Sequence, residues 1–269
     1  MSDYQTRFGG ISRLYGAQQA LWLQQARFCI VGIGGVGTWV AEALARSGVG
    51  HICLIDLDDI CTTNTNRQIH ANSKTVGLAK VDVMADRIKL INPDCQLDVI
   101  EDFITADNLH EVIGNKDNIK FDFVIDAIDS INAKTALIAH CKRNKIGLVV
   151  TGGAGGQTDP SQIQYSDLAK TTHDPLLSKV RNQLRRDYNF SKNPKRKFSV
   201  DCVFSTEQLQ YPQADGSVCQ MKSTADGSMR LDCNMGFGAA TMVTGSFGFF
   251  AAAKAISKYL DKCQRNKDL

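Results

Sequence analysis

The sequence has no two cysteines spaced C-x-x-C, although it contains nine of them. That absence removes the usual zinc-ribbon pattern. The odd count and an N-terminus (MSDYQTRFGG) without an apolar run argue against the disulfide framework of a secreted protein. Free thiols in a reducing cytoplasm are expected instead. Net charge is also scarce: 31 Lys and Arg against 28 Asp and Glu leave +3. A balance so close to zero excludes wholesale coating of nucleic acid but leaves room for a local basic patch. No internal repeat and no long Pro- or Ser-rich linker interrupts the 269 residues. With 43% hydrophobic and 22% charged residues, the chain is neither disordered nor collagen-like and can bury a sizeable core.

Charge is missing altogether from 233 to 253, CNMGFGAATMVTGSFGFFAAA. These 21 residues match the length of a membrane span, but they hold Asn234, Thr241, Thr244 and Ser246 and little Leu or Ile. Small residues at Gly238, Ala239, Thr241 and Gly245, with Met242, predict a buried or interface helix that another element approaches closely.

What is present is a regular alternation of strand and helix. The apolar run RFCIVGI (27–33) leads into Gly34-Gly35-Val36-Gly37 and a helical stretch that Gly48 closes. A second strand, 51–55, ends on Asp56. A helix over 79–91 stops at Asn92-Pro93. Strands at 96–103, 121–129 and 146–153, with a helix at 131–143, complete the pattern. Single helices between strands predict an α/β, Rossmann-like, doubly wound and mostly parallel sheet. Its site lies at the carboxyl ends of the strands, where Asp56, Asp126, Asp129 and Gly152 fall. Beyond Gly156 the alternation stops; SQIQY and SVDCVFS are short strand candidates in an irregular C-terminal half packed on the same sheet.

Gly32-x-Gly34-Gly35-x-Gly37 fits G-x-G-x-x-G after a strand and before a helix, where backbone N–H groups and the helix N-terminus favour phosphate. Asp56, 19 residues beyond Gly37, can hold ribose hydroxyls. Asp58, Asn64, Asn66, Arg67, Gln68 and Lys80 follow in one stretch. An Arg and a Lys beside a glycine loop suit the β- and γ-phosphates of ATP better than a nicotinamide cofactor. Asp126 and Asp129 offer Mg²⁺ one or two carboxylates. The loop GGAGG (152–156) offers backbone carbonyls to a Na⁺ or K⁺ ion.

The motifs GIGGVG, LIDLD, NTNRQIH, TVGLAK and DAIDS resemble, in order and spacing, the adenylating domain of ubiquitin-activating (E1-like) enzymes of the ThiF and MoeB type. RFGGISRLYG, AIDSINAKTALIAHCKRNKI, TGGAGGQTDPSQIQ, VDCVFSTE and NMGFGAATMVTGSFG extend the resemblance over the whole chain, to the branch that dehydrates threonylcarbamoyladenosine in tRNA. The resemblance implies one E1-like domain over 1–269, with a nucleotide-binding core (1–156) and a substrate-binding, dimer-forming portion (157–269). It implies a homodimer binding ATP and Mg²⁺, with Asp56 on the ribose, Asn64, Arg67 and Lys80 on the phosphates, and Asp129 on magnesium. Arg67, Lys80 and Asp129 are thus the catalytic candidates. It also implies an arginine reaching across the dimer from the N-terminal segment. Gly10-Ile11 stand where relatives have Arg-Gln, so Arg7 and Arg13 are both candidates. The branch does without the zinc of many relatives, in keeping with the missing C-x-x-C.

The implied reaction converts the threonyl carboxylate to an acyl phosphate or acyl adenylate, after which the ureido group closes an oxazolone ring with net loss of water. Ring closure gains from high effective molarity. The alternatives are adenylation of a ubiquitin-fold sulfur carrier, or an adapter in which ATP is only structural. The resemblance also suggests a cysteine desulfurase and its sulfur acceptor as partners. A tRNA substrate matches the segment from Lys179 to Lys197, which carries eight Lys and Arg against Asp187 alone. Arg185, Arg186, Lys195 and Arg196 are its candidate phosphate contacts, and Tyr188 and Phe190 are candidates for stacking on bases. Cys29, Cys53 and Cys141 read as buried apolar residues, while Cys202, Cys219 and Cys233 lie where relatives carry an acceptor thiolate. His70 reads as structural.

Overall fold

A computed structural model describes residues 3–213, 215–220 and 237–268. Two helices open it, α1 (Asp3–Tyr15) and α2 (Ala17–Gln25), neither of them marked by the sequence pattern. Then come β1 (Arg27–Val31), α3 (Gly37–Arg46), β2 (His51–Ile55), α4 (Lys80–Ile91) and β3 (Gln96–Ile100). After a short turn of helix, α5 (Leu109–Val112), and a small hairpin, β4 (Gly114–Asn115) with β5 (Asn118–Ile119), the alternation resumes. It continues with β6 (Phe123–Asp126), α6 (Ile131–Asn144) and β7 (Gly147–Thr151).

The segment expected to be irregular is more regular than predicted. It supplies β8 (Ile163–Asp167), α7 (Pro175–Asp187) and β9 (Asp201–Ser205), then a second small hairpin, β10 (Tyr211–Pro212) with β11 (Val218–Cys219). Helix α8 (Thr241–Lys267) closes the fold. Helix α7 forms because Leu177, Val180 and Leu184 give it one buried stripe. Asp174 caps it by accepting from Leu177 N at 2.9 Å, and Pro175 opens its first turn. The density of charge in this stretch hid an ordinary amphipathic pattern.

The main sheet has seven strands in the order β3-β2-β1-β6-β7-β9-β8, all parallel except the edge pairing of β8 with β9. This is the doubly wound, mostly parallel architecture that the alternation predicted. Side chains alternate across it. Phe28, Ile30, Ile52 and Leu54 pack with α2, α3, α4 and α8, while Cys29, Val31, Cys53 and Ile55 pack with α6 and α7. The order reverses between β1 and β6, and the register pairs Val31 with both Ile55 and Asp126. Three strand ends therefore stop level at the switch point, where α/β sheets bind ligands.

The described part of the uncharged stretch, 237–253, is a packing element between helices. Helix α8 buries Val243, Phe247, Ala251, Ala252 and Ala255, and no described helix is long and apolar enough to cross a membrane. A Cβ on Gly245 would sit 3.5 Å from the Trp39 ring. One on Gly248 would lie 2.6 Å from Trp39 Cβ and 2.8 Å from the Val36 carbonyl. The tightest approach is thus at Gly248, which the sequence did not single out. Gly248→Val should push α3 and α8 apart and cost about 2–3 kcal/mol, read as a lower denaturation midpoint; an unchanged midpoint would contradict this packing.

Candidate active site

The glycine loop follows directly from β1. Gly32, at φ +91°, donates to the Ile55 carbonyl at 2.9 Å, and a Cβ there would meet the Ala127 carbonyl at 2.8 Å. A Cβ on Gly37 would fall 1.8 Å from the Gly32 carbonyl, so the turn closes only with glycine at both places. Helix α3 then starts with no side chain capping it; Thr38, Trp39 and Val40 N–H already donate to the Gly34 and Val36 carbonyls, so the N–H groups offered to an anion are those of the loop itself, 34–37.

Asp56 sits at the end of β2, one oxygen accepting from Ile33 N at 2.6 Å and the other from Asp58 N at 2.9 Å. The carboxylate is thereby pinned beside the loop. Lys80 opens α4 with its side chain only 8% exposed; its Nζ lies 2.6 Å from Asp58 Oδ2 and 3.8 Å from Asp56 Oδ1. Arg67 is held by its backbone. Its carbonyl accepts from Trp39 Nε1 at 3.0 Å and from Thr244 Oγ1 at 3.3 Å, and its stem lies 3.4 Å from where a Gly35 Cβ would be. Gln68 is buried with its Oε1 unpartnered, and its amide nitrogen lies 3.9 Å from the Cβ position of Gly34. Asn64 is buried as well and spends its Oδ1 on Cys61 N at 3.0 Å, leaving its amide nitrogen for a ligand. Asn66 is different from the expectation. Its Nδ2 donates to the Ala239 carbonyl at 2.8 Å and its Oδ1 accepts from Arg67 at 3.1 Å, so it fits a part in placing Arg67.

The two aspartates after β6 separate. Asp129 is exposed, but Asp126 is fully buried, with Oδ1 accepting from Lys134 Nζ at 2.8 Å and Ile128 N at 3.0 Å. Burial pushes the Asp126 carboxyl upward even against the Lys134 charge. It is an internal ion pair, not the second magnesium carboxylate that the sequence predicted. Among the described residues no three His, Cys, Asp or Glu side chains gather to hold a metal ion. One exposed carboxylate beside a phosphate cradle fits Mg²⁺, which commonly takes one or two carboxylates and completes its shell with phosphate oxygens and water.

Other expectations are redrawn. Cys202, on β9, is 1% exposed, and burial pushes its thiol well up; such a sulfur is no acceptor thiolate. Cys219 is half-buried on β11, and Cys233 lies outside the described residues. Cys29, Cys53 and Cys141 are buried as predicted. In the 152–156 loop, the Gly153 and Gly156 carbonyls already accept from Gln157 and Gln210, at 3.0 and 2.8 Å. Tyr188 and Phe190 pack on the core: Phe190 meets Phe198 edge-on at 5.0 Å, and Arg143 stands 5.5 Å over the Tyr188 ring. They are not free to stack on bases. Of the basic residues, Lys195 and Arg196 are exposed, Arg186 pairs with Asp187 at 2.7 Å, and Arg185 covers Phe198 at 5.3 Å.

The sequence reading missed a groove of about 450 Å³ between the start of α6 and the outer face of α7. Ser130, Asn132, Lys179, Asn182, Gln183 and Arg186 line it, beginning one residue after Asp129. The signal was available: 179, 182, 183 and 186 form the polar stripe opposite Leu177, Val180 and Leu184.

A glycine loop at the switch point, with a strand-end carboxylate pinned beside it, an Arg stem packed on it and a buried Lys next to that carboxylate, is the arrangement of a nucleotide-binding protein of the E1-like class. The chain belongs to the ThiF family, whose model matches residues 9–268. It falls in the dehydratase branch. It is 57% identical over 262 residues to the tRNA threonylcarbamoyladenosine dehydratase of Escherichia coli (strain K12), covering 97% of this chain and 96% of that one. The enzyme of the same name from Haemophilus influenzae is 55% identical over the same shares. The crystal structure of the E. coli dehydratase TcdA in complex with ATP matches at a TM-score of 0.86 and 52% identity, covering 98% of both chains.

Proposed function

We propose that the protein dehydrates N6-threonylcarbamoyladenosine in tRNA to its cyclic oxazolone form at the expense of ATP. The observation that carries the ATP is that the Arg67 stem lies against Gly35 of the glycine loop while Lys80 sits 3.8 Å from Asp56, whose other oxygen accepts from Ile33 N at the loop's start; two cations by one glycine loop suit a triphosphate. The dehydratase names of relatives more than half identical over nearly the whole chain support the tRNA substrate.

In this reading Asp56 orients the ribose and the loop N–H groups hold the phosphate chain. Lys80 and Arg67 offset the charge that accumulates as the substrate carboxylate attacks phosphorus. Magnesium, when bound through Asp129, would supply further neutralisation of phosphate charge. We take the activated species to be the acyl adenylate; a relative solved in complex with AMP supports that choice. The ureido group then attacks the activated carbonyl, AMP leaves and the ring closes, with no water consumed. The chain's part in that step is to hold both ends of the substrate within reach. A tRNA substrate and ATP are in keeping with a reaction in the cytoplasm.

The homodimer belongs to the same reading. Helix α1 docks where Tyr4 hydroxyl donates to the Gly48 carbonyl, near the amino end of β2 and away from its own glycine loop. An α1 arginine therefore serves a partner's site more readily than its own. Arg7 is tied to Asp3 at 2.7 Å, whereas Arg13 is exposed and has no carboxylate partner among the described residues, so we assign the trans role to Arg13.

The test is purified protein, ATP and tRNA bearing the threonylcarbamoyl group, with mass spectrometry of the nucleoside. Loss of one water, with AMP and pyrophosphate as by-products, is expected. An unchanged nucleoside mass sinks the proposal. We place tRNA phosphates along the α6–α7 groove and the exposed bases beyond it. Reversing Arg185, Arg186, Lys195 and Arg196 together should weaken tRNA binding by more than about tenfold and flatten its salt slope by roughly 3. The affinity for ATP should stay the same. If the salt slope did not move, the tRNA would have to dock elsewhere.

A further inference from the structure

Lys134 is a buried charge that none of the steps above uses. It lies on the first turns of α6, is fully buried, and has its Nζ 2.8 Å from Asp126 Oδ1, 2.9 Å from the Ile128 carbonyl and 3.5 Å from the Asp126 carbonyl. Burying an ammonium is costly unless acceptors replace its water. All three acceptors here belong to one loop, 126–128, and Asp129 is the next residue.

That loop is fixed on its other sides too. Ala127 N donates to the Val31 carbonyl at 2.9 Å, Ile128 N to Asp126 Oδ1 at 3.0 Å, and Thr151 Oγ1 to the Asp126 carbonyl at 3.2 Å. The Ala127 carbonyl presses on Gly32 where no Cβ intervenes. The glycine loop and the root of Asp129 are thus joined through a few short contacts, with Lys134 at their centre. Asp174, half a step away on the α7 side, contributes a second negative field at Lys134 while its own oxygens take Gly153 N and Leu177 N, each at 2.9 Å.

We infer that Lys134 is a positioning residue: by gripping the Ile128 carbonyl and Asp126 it sets where Asp129 stands relative to the glycine loop, and so how tightly magnesium is held with ATP. The inference rests on the magnesium role proposed for Asp129. It differs from a purely structural role because it couples Lys134 to magnesium and not merely to stability.

The single change Lys134→Met leaves Asp126 buried and unpaired, a cost that threatens the fold itself, so the test uses Asp126→Asn with Lys134→Met, which removes both charges together. ATP binding is measured by calorimetry, with EDTA and across a magnesium titration, beside the wild type and Asp129→Ala. With EDTA the double variant should bind ATP within about twofold of wild type, while its half-saturating magnesium rises by roughly tenfold or more. A magnesium midpoint equal to that of the wild type, in a folded double variant, overturns the inference. If Asp129→Ala itself leaves the magnesium midpoint unmoved, the magnesium role of Asp129 fails, and the inference fails with it.

Discussion

Lys80→Met is expected to lower kcat/KM for ATP by about 10³, through both a higher KM and a lower kcat, because it removes a preorganised cation from the phosphates. Methionine fills most of the lysine stem's volume, so packing at the start of α4 should hold. What changes is electrostatic. Lys80 lies between Asp56 and Asp58, at 3.8 and 2.6 Å, and its side chain is 8% exposed. Without it, two carboxylates face an incoming triphosphate with nothing to offset them, so ground-state binding weakens. The transition state loses more, since charge is then moving onto the leaving phosphates. The measurement is steady-state formation of the dehydrated nucleoside at varied ATP, with thermal melting to verify the fold. A kcat/KM within tenfold of wild type would remove Lys80 from the phosphate site. Asp58→Asn is the complementary variant: its carboxylate is 57% exposed and competes with phosphate for Lys80, so its loss should be far milder.

The difference between Lys80 and Asp126 marks how far the sequence could be read. Strand-end positions were legible because a parallel sheet puts every carboxyl end on one edge, and the glycine spacing fixed which loop crosses it. On that basis Asp56, Arg67 and Lys80 were expected around one loop; the structure sets Lys80 3.8 Å from Asp56 and the Arg67 stem against Gly35, and Asp129, exposed, on the loop after β6. Asp126 was placed with them because a sequence carries no sign of which neighbour a carboxylate meets. Lys134 sits eight residues on, two helical turns' worth of chain that bends back beneath the strand, and it takes the charge inward. Cys202 failed for a related reason. Strand β9 was recognised, but its burial on both faces depends on β7, β8 and α7 surrounding it, which no local pattern states. Tyr188 and Phe190 looked available to bases because charged residues surround them in sequence; in space those charges lie on the outside and the rings lie beneath. The basic stretch thus contributes a helix with a polar outer face and a groove leading from Asp129, a more definite footprint than a count of lysines and arginines conveys.

Stability is expected to fall by about 2 kcal/mol between pH 7.5 and pH 5, and most of that fall should vanish in His70→Leu. His70 is 2% exposed, and burial, opposed by the Ile33 backbone and aided by the nearby Lys80 and Arg87 charges, pushes its pKa from 6.5 down to about 4. The sign follows from proton counting. Between pH 6.5 and 4 the unfolded chain takes up a proton that the folded chain refuses, so unfolding gains on folding as the pH drops. The contribution is complete above pH 6.5 and is lost as the pH falls toward 4. Carboxylates titrate mostly below this window, which makes pH 5 the discriminating point. Burial also lowers the pKa of His140, so a smaller slope should remain in the variant. The effect reaches function because His70 ends the stretch that carries Arg67 and Gln68 past the glycine loop. Protonation there would force an imidazolium into a buried site already facing the Lys80 and Arg87 charges, and ATP binding should weaken over the same window as stability. Urea denaturation of both proteins at pH 7.5 and 5.0 measures the slope directly. If His70→Leu kept the whole pH dependence, the burden would have to lie on other groups and His70 would be indifferent to its burial.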